Sequence, residues 1–154
     1  MTQRSVTHAT FCVERVFDCP PARLWRAFAD PAEKVRWACH DQWRMEEMTF
    51  AVGGREVAGG RDPGGPFWRF DGTYLDIAEG ERFCLAYTMS RDDVRVSASM
   101  ITWEVFADPA GARLTFTDQG AYLDGHADPA EREAGSGAGL DNLAALLAAE
   151  PGAA

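Results

Sequence analysis

Between Trp43 and Leu123 no stretch keeps a helical period, and turn signals arrive every few residues. They are Gly53-Gly54, Asp62-Pro63-Gly64-Gly65-Pro66, Glu79-Gly80, Arg91-Asp92-Asp93 and Asp108-Pro109-Ala110-Gly111. The runs between them, Arg44–Val52, Arg55–Gly60, Phe67–Ile77, Arg82–Met89, Val94–Phe106 and Arg113–Tyr122, read as strands. Neighbouring strands joined by short turns form an antiparallel meander. Alternation is clearest in Phe83/Leu85/Tyr87/Met89, in Val94/Val96/Ala98/Met100 and in Leu114/Phe116. One face of the sheet is therefore apolar and must be covered.

The flanking segments supply the cover. Thr7–Phe17 is rich in β-branched and aromatic residues and reads as a first strand, stopped by Asp18-Cys19-Pro20-Pro21. Leu24, Trp25 and Phe28 then recur at helical spacing to about Ala29. Asp30-Pro31-Ala32-Glu33 is a stop and a restart, with Asp as cap, and predicts a second short helix carrying Val35 and Trp37. Asp128-Pro129-Ala130-Glu131 repeats the signal, and Leu140, Leu143, Ala144 and Leu147 form one apolar stripe before Pro151-Gly152. The predicted fold is α+β, a helix-grip: a curved antiparallel sheet wrapped around a long C-terminal helix, with two short helices after the first strand. A hollow is left between helix and sheet. At 154 residues, the chain (1–154) is the size of a single domain.

Composition narrows the partners. The formal net charge of −9 repels phosphate backbones and anionic lipid, which argues against nucleic acid and membrane as partners. Arg4, His8, Glu14 and Arg15 interrupt the N-terminal segment, which has no signal-peptide core, and no apolar run is long enough to span a bilayer. A cytoplasmic location is expected. Cys12, Cys19, Cys39 and Cys84 match no zinc spacing and read as reduced, buried thiols. The single lysine, Lys34, against fourteen arginines reads as a compositional bias.

Several segments together resemble a known family. Val13–Pro31, Val35-Arg36-Trp37, Phe50–Arg55, Tyr74–Ile77, Glu81-Arg82, Arg113–Gly120 and Leu140–Leu143 are similar to the SRPBCC (START-like) superfamily. The branch they resemble is the bacterial family named after the activator of heat-shock-protein-ninety ATPase. The resemblance runs in order along nearly the whole chain. It implies the helix-grip fold and a hollow that takes apolar or aromatic small molecules. Many relatives carry a Trp at the head of the C-terminal helix, where this chain has Gly135-Ser136-Gly137, and the smaller residues should open that end of the cavity. The eukaryotic co-chaperone carries an additional N-terminal chaperone-contacting domain. This chain matches only the START-like part, so co-chaperone activity is not expected.

Candidate chemistry is sparse. Cys39-His40-Asp41 places a thiol beside an imidazole, yet adjacent residues rarely aim at one another, and the reading is a helix-terminal turn with Cys39 buried and His40 solvated. His8, His40 and His126 lie in different segments with no ligating spacing, so no metal is expected. Gly135–Gly139 lacks the preceding strand and Lys-Ser/Thr ending of a phosphate loop, so no nucleotide cofactor is expected. It reads as close helix–sheet approach or as room for a ligand. Glu46 alternates with Met48 and Phe50, and Asp118 with Leu114 and Phe116, which carries both acids onto the apolar face. There they are either ion-paired with arginine or available to grip a ligand or move a proton.

The aromatic and methionine residues fall on the same segments. Phe50, Phe70, Tyr87, Met89, Met100 and Phe116 are assigned to the cavity wall. Tyr74, Glu46 and Asp118 are assigned as polar handles, with Trp37 and Trp43 at the mouth. No residue is assigned a catalytic role. The expected function is binding of a small hydrophobic or aromatic molecule. The alternatives are an aromatase/cyclase-type enzyme acting on a polyketide-like substrate, or a stress-related protein-interaction module of co-chaperone kind. A homodimer is compatible with these properties.

Overall fold

The computed structural model describes residues 3–150. It contains β1 (Val6–Phe17), α1 (Pro21–Ala29), α2 (Pro31–Ala38), β2 (Arg44–Met48) and β3 (Arg55–Arg61). These are followed by β4 (Phe67–Ala78), β5 (Arg82–Arg91), β6 (Val94–Asp108), β7 (Gly111–Leu123) and α3 (Pro129–Ala148). The strands form one seven-stranded sheet in the order β1-β7-β6-β5-β4-β3-β2, antiparallel at each step. Its inner face grips α3 and the α1–α2 pair, which is the expected helix-grip arrangement. The expected helix end at Pro151-Gly152 lies outside the described residues.

Local chemistry explains the helix boundaries. Asp30 and Asp128 each accept a hydrogen bond from a backbone N–H two residues on, at 2.9 Å, as cap residues do. The glutamate of the first motif does not reach back to its cap. Glu33 instead takes Arg23 Nη1 at 2.7 Å, and Glu150 takes Arg23 Nη2 at 2.6 Å. The buried guanidinium of Arg23 thus ties α1 to α2 and to the end of α3.

Below this tie Leu24, Ala27 and Phe28 of α1 share one buried cluster with Leu114 of β7, and Leu140 and Leu143 bury the α3 stripe in it. Burying each leucine is worth about 1.5–3 kcal/mol, so the stripe is what holds a glycine-rich helix to the sheet. At Gly111 (φ +134°) the β6–β7 turn passes so near the end of β1 that a Cβ would strike the backbone of Phe17 and Cys19.

Two strands depart from the alternation read in the sequence. In β6 the register with β5 jumps between Met89 and Ser90, making Val96 an extra residue. Beyond this bulge the faces exchange. Ser97, Ser99, Ile101, Trp103 and Val105 point inward, while Ala98 and Met100 point out. Burying Ile101, Trp103 and Val105 outweighs burying Ala98 and Met100, and the bulge lets Val96 stay buried as well. Strand β2 ends at Met48 rather than Val52, and the register with β3 jumps across Glu46. The chain then loops through Thr49–Gly54, with Gly53 at positive φ. The cysteines are all free, but only Cys19 is buried; Cys12 is exposed, and Cys39 and Cys84 are partly so.

Candidate ligand cavity

Cross-strand registry sets the floor of the cavity. Glu56, Gly72, Tyr87, Ser99 and Gly120 lie opposite one another in turn, forming one inner rung from β3 to β7. The rung on one side runs Ala58, Phe70, Met89, Ser97, Tyr122, and the rung on the other side Tyr74, Leu85, Ile101, Asp118. At Gly72 a Cβ would meet Leu85 and Phe70, so the missing side chain lets both lean across the centre of the sheet. Phe70 stacks on Tyr87 with centroids 4.6 Å apart and planes at 21°.

Above this floor lies a cavity of about 530 Å³, roofed by α2 and α3. Its wall includes Trp37, Trp43, Trp68 and Trp103, four of the five tryptophans in the chain. Leu85, Met89, Ile101, Phe116 and Leu140 add to the apolar lining. Gly135, Ser136 and Gly139 of α3 face the space, and a Cβ added at either glycine would meet nothing within 4 Å. The glycines leave room there rather than bring helix and sheet into close contact.

Polar groups stand at two places. On the β3 side, Lys34 Nζ lies 3.4 Å from Glu56 Oε1, which also accepts the Tyr74 hydroxyl at 2.5 Å. The ammonium sits over the rings of Phe28 and Trp37, 5.4 and 4.9 Å from their centroids. Burial and the adjacent carboxylate push the Tyr74 phenol far above its ordinary range, so it stays a hydroxyl donor. On the β7 side, Tyr87 donates to Asp118 Oδ2 at 2.6 Å and accepts from Arg132 Nη1 at 2.8 Å. Arg132 Nη2 reaches Ser97 Oγ at 2.8 Å, pinning the first turns of α3 to the sheet. Burial raises the Asp118 carboxyl above its usual range, while the Tyr87 hydrogen bond and the Arg132 charge pull against that rise. Asp118 Oδ1 is buried with no hydrogen-bond partner among the described residues.

Of the residues assigned from the sequence, Trp37, Trp43, Phe70, Tyr87, Met89, Phe116 and Asp118 line this one cavity. Four do not. Glu46 is the extra residue of the β2 bulge, exposed and paired with Arg69 at 2.7 Å. Phe50 lies in the loop after β2 and packs edge-on against Trp25, Tyr74 and Phe83 in the core. Tyr74 points inward but is closed off beneath Glu56. Met100 is 38% exposed on the outer face, because the Val96 bulge reverses its strand.

Lys34, Glu56, Trp68, Trp103 and Arg132 line the cavity without having been singled out. A signal for Lys34 existed: the only lysine stands three residues before Trp37, on the same helical face. Arg132 likewise shares a face with Gly135 and Gly139 at spacings of three and seven. Nothing local marked Glu56.

The tripeptide Cys39-His40-Asp41 forms the turn after α2. Burial pushes the Cys39 thiol up, away from the thiolate, and His40 Nε2 lies 2.8 Å from the Trp37 carbonyl. Among the described residues no group of three His, Cys, Asp or Glu is arranged to hold a metal ion. No described helix is long and apolar enough to cross a membrane.

Solved structures share this architecture. A Rhizobium leguminosarum protein is 37% identical, with a TM-score of 0.90, over 97% of this chain and 100% of that one. A Rhizobium loti protein is 39% identical, with a TM-score of 0.85, over 92% and 98% respectively. A Chromobacterium violaceum protein is 28% identical, with a TM-score of 0.75, over 90% and 96%. Among curated proteins none matches this chain. The family described as Activator of Hsp90 ATPase homolog 1-like protein matches residues 18–148. With its helix-grip fold and that match over most of its length, the chain belongs to the Activator of Hsp90 ATPase homolog 1-like family.

Proposed function

We propose that the protein binds a small hydrophobic or aromatic molecule in the cavity between the sheet and α3. The observation that carries this reading is the cavity wall: four tryptophans around about 530 Å³ of space that α3, with its glycines, does not fill. Small-molecule sites have this size and this predominance of apolar lining with few polar groups. A ligand that binds only the folded state raises the melting temperature by mass action. A thermal-shift screen with apolar aromatic compounds should therefore give concentration-dependent increases. No shift with any of them, in a protein that melts cooperatively, would sink the reading.

One observation favours a second reading, an enzyme of aromatase/cyclase type. Asp118 is a buried acid with a raised pKa, hydrogen-bonded to Tyr87 inside the cavity, and such a pair can move a proton to or from a bound carbonyl compound. Loss of turnover of a polyketide-like substrate in Asp118→Asn, with ligand affinity retained, would establish that role. Unchanged turnover would refute it.

A further inference from the structure

We propose that the cavity takes a neutral two-ring aromatic molecule carrying a hydroxyl at each end, one seated on the Lys34–Glu56 pair and the other on Asp118. The proposal rests on the ligand-binding reading and names the chemistry of its ligand.

The two polar stations are incompletely used by the protein. The Lys34 ammonium has three N–H bonds and meets one carboxylate oxygen and two ring faces. Glu56 Oε1 serves both Lys34 and Tyr74, while no hydrogen bond engages Oε2 among the described residues. A donor and an acceptor thus stand side by side in the cavity wall. Asp118, 1% exposed, uses Oδ2 for Tyr87 and leaves Oδ1 without a partner. A buried acceptor in that state has lost water and gained nothing in return.

The two stations stand on strands separated by three others. Glu56 is on β3 and Asp118 on β7, four strand spacings apart, or about 19 Å along the curved sheet before the side chains reach inward. Between them the floor is formed by Leu85 and Phe70, which lean over Gly72, and it is flat at the stacked Phe70–Tyr87 pair. Trp37 of α2 and Trp103 of β6 line the same cavity. Such a passage suits planar rings stacked or edge-on against aromatic walls.

Charge selects hydroxyl over carboxylate. The lining holds the carboxyls of Glu56, Asp118, Asp128 and Glu131 against the cations of Lys34 and Arg132. An anionic ligand would add to an existing excess of acid. A hydroxyl accepts from Lys34 while donating to Glu56, and it suits Asp118 whether that group is a carboxylate or an acid.

The test is a ligand series on the wild-type protein, read by quenching of tryptophan fluorescence. The probes are trans-stilbene, 4-hydroxystilbene, 4,4′-dihydroxystilbene and stilbene-4,4′-dicarboxylate. Affinity should rise about tenfold with each hydroxyl, the low end for hydrogen bonds to charged groups, and the dicarboxylate should bind weakly. In Lys34→Met, or in Asp118→Leu, the dihydroxy compound should bind no better than the monohydroxy one. Equal affinity of the three uncharged stilbenes would overturn the proposal while leaving the cavity a binding site. So would tighter binding of the dicarboxylate, or a dihydroxy advantage unchanged in both variants. If none of the four binds, the proposal falls, and the ligand-binding reading falls with it only if the thermal-shift screen is also blank. Because the wild-type series decides by itself, the proposal is tested even if a variant fails to fold.

Discussion

At the residue scale, the two buried acids of the cavity are held by different partners. Glu56 holds Tyr74 and Lys34, so its neighbours depend on it. Tyr74→Phe removes a donor from a buried carboxylate and should cost about 1–3 kcal/mol, measurable by urea unfolding. Burial raises the pKa of Asp118. The folded state therefore holds this proton at pH values where the unfolded chain has released it. By linkage, the stabilising contribution is present at low pH and is lost as pH rises from the ordinary carboxylate range through the raised folded value. Asp118→Asn lacks that penalty. Its melting temperature relative to wild type should increase from pH 4 to pH 8; a constant difference would contradict the raised pKa. Asp118 was legible from alternation because β7 runs without a bulge, whereas Glu46 was misplaced by a single inserted residue. Period-2 reasoning holds only while the register does.

At the scale of elements, α3 is a helix built against its own propensity. Gly135, Gly137 and Gly139 each cost about 1 kcal/mol relative to alanine, yet they lie on the turns beside the cavity. Because a Cβ at Gly135 meets only open space, Gly135→Ala should stabilise the protein by up to about 1 kcal/mol. Gly135→Trp should instead fill the cavity end and abolish ligand-induced thermal shifts while the fold persists. Circular dichroism together with the thermal-shift titration checks both outcomes. A persistent ligand shift in Gly135→Trp would place the binding site elsewhere. The helix limits were readable from Asp30 and Asp128, whose caps act within two residues. The strand ends were less so, because β2 stops where the Thr49–Gly54 loop turns to Tyr74, a partner twenty residues on.

For the whole molecule, the pairing most distant in sequence is the demanding step. Strand β1 pairs with β7 from Val6↔Leu123 to Phe17↔Ala112, joining the first strand to the last. Loop closure of that length must precede any gain from the pairing, so folding should take milliseconds to seconds, roughly the range of non-local β proteins. Stopped-flow tryptophan fluorescence measures this, and a microsecond phase carrying the full amplitude would contradict it. The pH response also has two signs. Arg23 and Arg36 hold Glu150 below its usual range, so its contribution is present at neutral pH and fades as pH falls through the carboxylate range, opposite to Asp118. The sequence by itself determined the element order, the helix caps, the antiparallel meander and seven of the eleven residues assigned to the cavity, because these follow from periods and signals a few residues long. Only the tertiary structure decided that β1 pairs with β7, that Val96 reverses β6 and sends Met100 outward, and that Lys34 from α2 meets Glu56 from β3 beside a Gly72 whose missing side chain admits Leu85 and Phe70. Such contacts depend on how one inserted residue or one absent side chain propagates through a curved, close-packed sheet, and no local period carries that information.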